Sequence, residues 1–143
     1  MNKLERLFFV YPKALELYKS HLDILMLNCT YKTNRFCMPL LNISAITSGK
    51  QVIQVAIVFL TKEREGDYNW VLECFQELIL KESIEKPTIT ITDKELALIA
   101  SLNVLFPSSH HILCYWHINM NILAKYKKHF PGPVKGPGKY FLF

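Results

Sequence analysis

An α/β fold with a mixed five-stranded sheet flanked by helices follows from three features of the sequence. Two strand-like runs, Phe36 to Thr47 and Gln51 to Leu60, are joined by Ser48-Gly49-Lys50 into a hairpin. A third run, Leu22 to Asn28, precedes them and makes an antiparallel meander. Beyond residue 60 the pattern changes to helix and strand in alternation, the order that builds parallel pairing with helices on the sheet.

Each element has a local reason. Pro12 suits a first helical turn, and Ala14, Leu15, Leu17 and Tyr18 follow at helical spacing, so residues 12–20 read as a short helix. Pro39 argues for an edge or a bulge in the strand that contains it. Asp67 is placed to cap a helix from Tyr68 to Lys81. That helix puts Val71, Cys74, Phe75, Leu78 and Ile79 on one face and Glu73, Gln76 and Glu77 away from it. Thr88 to Asp93 is a β-branched strand that opens into a helix from Lys94 to Leu105, closed by Pro107. His111 to Tyr115 is a short strand, and Trp116 to Lys128 a last helix. From Pro131 the run Pro-Gly-Pro-Val-Lys-Gly-Pro-Gly-Lys reads as a flexible tail, so the domain is assigned to residues 1–130 and the tail to 131–143. Three strands, helix, strand, helix, strand, helix is an order that resembles the ribonuclease H-like fold.

Bulk properties narrow the function. Half of the 143 residues are apolar, which fits a folded domain. The net charge of +5 is not spread out: residues 1–124 balance, and the excess lies in Lys125, Lys127, Lys128, Lys135 and Lys139. Such an end fits nucleic-acid contact and a solvated helix terminus equally well. Lys3, Glu5 and Arg6 interrupt the apolar N-terminal stretch, so no secretory leader is expected. Cys29, Cys37, Cys74 and Cys114 are widely spaced and read as reduced thiols of an intracellular protein. The longest apolar run, Val52 to Leu60, is far short of the roughly 20 residues needed to cross a bilayer. No membrane association is expected.

The chemistry gathers at strand ends. A strand that ends on Asp93 and turns at once into a helix sets that carboxylate at the carboxyl edge of the sheet, where open α/β sheets bind ligands. Asn28 ends another strand, at the position where a metal site would want a partner acid. Asp23 is not a substitute, because positions 23 and 28 differ by an odd number and so face opposite sides. Helix capping is the plain alternative for Asp93, and an ordinary turn for Asn28.

Five blocks, in order, resemble the Mutator-like element (MULE) transposases. They are Asn28-Cys29-Thr30-Tyr31-Lys32-Thr33-Asn34 with Met38-Pro39-Leu40; Glu63 with Tyr68-x-Trp70; Thr92-Asp93 with Glu95-Leu96-Ala97-Leu98; Phe106-Pro107; and Cys114-x-Trp116-His117 with Asn121. The resemblance covers about residues 12–130. It implies metal-dependent cleavage and strand transfer of DNA at transposon ends, in the nucleus, by two aspartates and a late glutamate that hold Mg²⁺ or Mn²⁺. Carried over by motif, Asp93 is the second acid and a metal ligand, while Asn28 stands where the first acid belongs. The late glutamate is absent before the Gly/Pro tail, so the chain reads as a core truncated before its third acid. One acid of three is a poor two-metal site, and such a core is expected to be inactive alone. The alternatives are a domesticated, non-catalytic module that binds DNA or protein, and a relic reading frame.

Cys114 and His117 belong to the resemblance as a signature without an assigned role. They have ligand spacing, but no second Cys/His pair accompanies them, so zinc is not expected. Lys32 and Arg35, in the loop after the first strand, are candidate contacts to a DNA backbone. Trp70 and Trp116, at helical positions, are expected in the core.

Overall fold

The computed structural model describes residues 3–20 and 23–129. The expected tail at 131–143 lies outside them. Ten elements follow in order. They are β1 (Leu7–Val10), α1 (Pro12–Lys19), β2 (Ile24–Thr30), β3 (Leu40–Ile46), β4 (Val52–Phe59), α2 (Glu65–Lys81), β5 (Ile89–Thr92), α3 (Leu96–Leu105), β6 (His110–Leu113) and α4 (Tyr115–His129). The sheet is mixed, as expected, but has six strands in the order β1-β4-β3-β2-β5-β6. The additional strand is β1, which pairs antiparallel with β4 from Leu7–Phe59 to Val10–Ala56. Four apolar residues are too short a run to declare a strand, and it is β4 that supplies the partner.

Strands β2, β3 and β4 form the expected antiparallel meander, and β5 and β6 join in parallel. Boundaries shift where backbone pairing overrides local propensity. Strand β3 begins at Leu40, because Pro39 and the turn before it cannot enter the ladder. Asn34 fastens that turn: its Oδ1 accepts from the Phe36 and Met38 N–H groups at 3.1 and 3.2 Å, and its amide nitrogen donates to the Met38 carbonyl at 2.7 Å.

Burial alternates strictly along β2 and β3, so each has one core face. Leu25, Leu27, Cys29, Leu41, Ile43, Ala45 and Val58 meet helices α1, α2 and α3 in one cluster. Phe75 of α2 is its centre. The ring is fully buried, with Tyr18 of α1 at 6.2 Å and Phe106 beyond α3 at 6.4 Å, both tilted. The opposite face, with Met26, Asn28, Asn42, Ser44 and Ile91, is only half-buried. Helix α4 has no fully buried residue, and Trp116 is 60% exposed. Trp116 is therefore not a core residue, whereas Trp70 packs against the core as expected.

Helix α2 also corrects its expected cap. It starts at Glu65, with Arg64 at the N-cap position and no side-chain cap. Asp67 lies inside the first turn, buried, and accepts from Arg6 Nε at 2.8 Å, while the guanidinium sits 5.5 Å from the Trp70 ring centre. A long-range partner has taken the carboxylate that local reasoning assigned to the backbone. Arg6→Ala leaves Asp67 buried without its donor and is expected to cost about 1–3 kcal/mol. Urea unfolding measures this. Arg6→Lys should recover only part of it, since an ammonium cannot reproduce both the Nε–H bond and the stacking.

Candidate functional site at the carboxyl edge of the sheet

Strands β2 and β5 run parallel in a register that pairs Ile24 with Ile89 and ends with Leu27 beside Thr92. Asn28 and Asp93 are the next step along each chain. Asn28 lies within β2 on the half-buried side with Met26, and Asp93 follows directly on the last residue of β5. Asp23 lies at the far end of β2, where its carbonyl accepts from Ile89 N at 2.8 Å.

Both side chains are under-satisfied. Asn28 Oδ1 and Asp93 Oδ1 are buried and have no hydrogen-bond partner. Asn42, opposite Asn28 in the β2–β3 ladder, accepts instead from Gln54 Nε2 at 2.7 Å. Nor does Asp93 cap α3. Glu95 is the N-cap residue, and its carboxylate accepts from Ala97 N at 3.3 Å. Freed from that duty, the Asp93 carboxyl holds its proton more tightly than an ordinary aspartate. Burial is the main cause, the charge of Glu63 adds to it, and His117 opposes it.

Glu63 is a second acid near this edge. It receives the hydroxyl of Tyr31 and that of Tyr68, the latter at 3.2 Å. Burial and Glu63 together push the Cys29 thiol well above its usual range, so Cys29 is an inert core thiol. A single glutamate in a charged loop carries no signal that two tyrosines, 32 residues and 5 residues away, will hold it.

His117 reaches the edge from the other side. Cys114 N donates to the Thr92 carbonyl at 2.6 Å, which fixes the start of α4 beside the end of β5. His117 follows one helical turn later, with Trp116 edge-on at 4.8 Å. Its Nδ1 is buried and without a partner. Lys94, Cys114, His117, Asn121 and Lys125 line a cleft of about 270 Å³. The C-x-x-H spacing is thus explained by a corner and one turn of helix. Among the described residues no group of three His, Cys, Asp or Glu side chains is placed to hold a metal ion.

Lys32 and Arg35 stand on the exposed loop that follows β2, Lys32 at a φ of 56° and Arg35 with its guanidinium 4.6 Å from the Phe36 ring centre. All four cysteines are free. No helix among the described residues is long and apolar enough to cross a membrane.

Parts of several known proteins are similar to the chain in sequence. PKS-NRPS hybrid synthetase cheA of Chaetomium globosum is 24% identical over 123 residues, which are 86% of this chain and 3% of that protein. Protein FAR1-RELATED SEQUENCE 4 of Arabidopsis thaliana is 24% identical over 115 residues, 80% of this chain and 15% of its own length. The chain therefore spans only a small part of these relatives. The HTLV-2 integrase catalytic core domain, solved in complex with magnesium, aligns with 80% of this chain and 77% of its own at a TM-score of 0.42 and 16% identity. The MULE transposase domain model matches residues 24–121, well over half of the sequence, and the chain belongs to that family.

Proposed function

We propose that this chain is the ribonuclease H-like core of a Mutator-like transposase, occupying residues 1–130, whose ancestral role was metal-dependent cleavage and strand transfer at transposon ends in the nucleus. By itself the core is catalytically inactive. The observation that carries this reading is an amide, Asn28, beside Asp93 at a sheet edge in a chain of this family.

The chemistry explains why the amide matters. In-line attack on a phosphodiester uses one ion to activate the nucleophile and a second, about 3.5–4 Å away, to stabilise the leaving oxygen. Magnesium takes oxygen ligands and keeps several waters. The orphaned oxygens of Asn28 and Asp93 suit one hard cation, with Asp93 supplying the only charge. An amide nitrogen cannot bridge to a second ion. Lys32 and Arg35, exposed beside the end of β2, are suited to flanking phosphates. The same Asn28 also supports a second reading, a module that binds DNA or protein without cutting it.

A Mg²⁺ titration of the native chain against Asn28→Asp tests the first reading. The native chain should bind Mg²⁺ weakly, and the restored acid should raise affinity by about tenfold or more. Equal, tight binding by both chains would remove the interpretation of Asn28 as a lost acid. Tight, metal-independent DNA binding by both, with no gain in Mg²⁺ affinity, would favour the non-catalytic module.

A further inference from the structure

Four strands are level at one end of the sheet. Thr30 pairs with Leu40, Leu40 with Phe59, and Phe59 with Leu7, so the loop after β2, the loop after β4 and the segment before β1 meet there. Hydrogen bonds fasten all three. Thr61 Oγ1 donates to the Glu5 carbonyl at 2.5 Å, Leu60 N to the Pro39 carbonyl at 3.0 Å, and Cys37 N to the Asn34 carbonyl at 3.1 Å. Between these segments lies a cavity of about 320 Å³, lined by Lys3, Leu4, Phe36, Cys37, Met38 and Thr61. It is large enough for a small planar ligand. Its lining is mostly apolar, with one cation and no acid.

Phe36 is the conspicuous wall. The residue is 68% exposed, and the Arg35 guanidinium lies 4.6 Å from its ring centre. Lys32 is exposed on the same loop, and Glu63 is engaged by the hydroxyls of Tyr31 and Tyr68. An aromatic ring left in water beside a cavity, with cations around it, suits a ligand that is flat and apolar on its faces and anionic at its margins. An unpaired nucleotide has that chemistry, whereas an apolar peptide would leave the cations unused. Duplex DNA hides its base faces in the stack, and only a single strand offers them without the cost of extrusion.

We propose that this cavity receives one unpaired base of a DNA single strand, stacked on Phe36, with Lys3, Lys32 and Arg35 as the partners of its phosphates. The proposal rests on the DNA-acting reading above and adds the part of the DNA that this corner holds. Stacking tolerates any base, because each has a π-face, so the site is selective for strandedness rather than for sequence. The hydrogen bonds of Asn34, Pro39 and Thr61 hold the walls in place before the strand arrives, which lowers the ordering cost of binding.

Fluorescence anisotropy of the full 143-residue chain with a labelled oligothymidine strand and with a blunt duplex of equal length, at one salt concentration, tests this. The single strand should bind about tenfold more tightly than the duplex. Phe36→Ala should lose about tenfold in single-strand affinity and leave duplex affinity unchanged, while Phe36→Tyr keeps a stacking ring and should keep the affinity. Thermal melting verifies that both variants fold, as expected for a side chain so exposed. Iodoacetamide alkylation of the exposed Cys37, read by mass spectrometry, should slow about tenfold when the strand is saturating. Equal affinity for strand and duplex, unchanged strand affinity in folded Phe36→Ala, or undiminished alkylation at saturation would each overturn the proposal. Protection of Cys37 by a leucine-rich peptide and not by the strand would assign the cavity to a protein partner and overturn it too. Duplex binding without a single-strand preference defeats this proposal alone, since the transposase reading is judged by the Mg²⁺ titration of Asn28→Asp.

Discussion

Phe75→Ala should destabilise the chain by about 3–5 kcal/mol, the cost of emptying an aromatic site in a core that cannot collapse around it. The ring is fully buried and joins Tyr18 of α1 to Phe106 at the end of α3, so its loss loosens three helices at once. Domains of this size have about 5–15 kcal/mol of stability in total. The melting temperature should therefore fall by about 10 °C or more. Leu80 on the same helix is 80% exposed, and Leu80→Ala should stay within about 0.5 kcal/mol of the native chain. Scanning calorimetry of the two variants measures both. If Phe75→Ala melts with the native chain, the three-helix core described above is wrong.

Asn28→Asp in the absence of metal is the second large effect, and it has the opposite sign to the gain in ion binding. Continuing the register that pairs Leu27 with Thr92, it would set a second carboxylate near Asp93. At about 5 Å and an effective dielectric near 20, two such charges repel by about 3 kcal/mol before screening by salt. Asp93 already holds its proton more tightly than usual, chiefly through burial. The sign follows from that direction. A carboxyl whose folded-state pKa is raised contributes stability that is full below its unfolded value, near 3.8, and is lost as pH rises through the folded value. The variant should thus melt below the native chain at neutral pH and approach it as pH falls toward 4. Added divalent metal should close the gap at neutral pH, because an ion that binds only the folded state stabilises it. Asp93→Asn should move the other way and raise the metal-free melting temperature. A variant that melts like the native chain at every pH would mean that residues 28 and 93 do not face each other.

Much of this was legible in the sequence because it is local. The alternating apolar residues of Leu40 to Ile46 and the β-branched run before Asp93 state their own secondary structure, and the turn at residues 48–50 states that two strands pair. Asp23 is kept from that edge by its place just before the first residue of β2. Where the reading went astray, a distant partner decided the outcome. Leu7–Val10 is a strand because β4 offers it an edge. Asp67 turns from its own helix to Arg6, 61 residues away in sequence. Trp116, hydrophobic by type, is left exposed on a helix that buries none of its residues.

The sequence by itself determined five of the strands, the helices, the acid at position 93 and the amide at position 28, since these depend on backbone preference and on which side chain is present. Only the tertiary structure decided that β2 and β5 are neighbours in register and that Glu95, not Asp93, caps α3. It also brought His117 toward the same edge. Spacing along a chain fixes direction over a few residues. Which donors share a pocket is fixed by pairing between strands far apart in sequence, and that is a property of the fold.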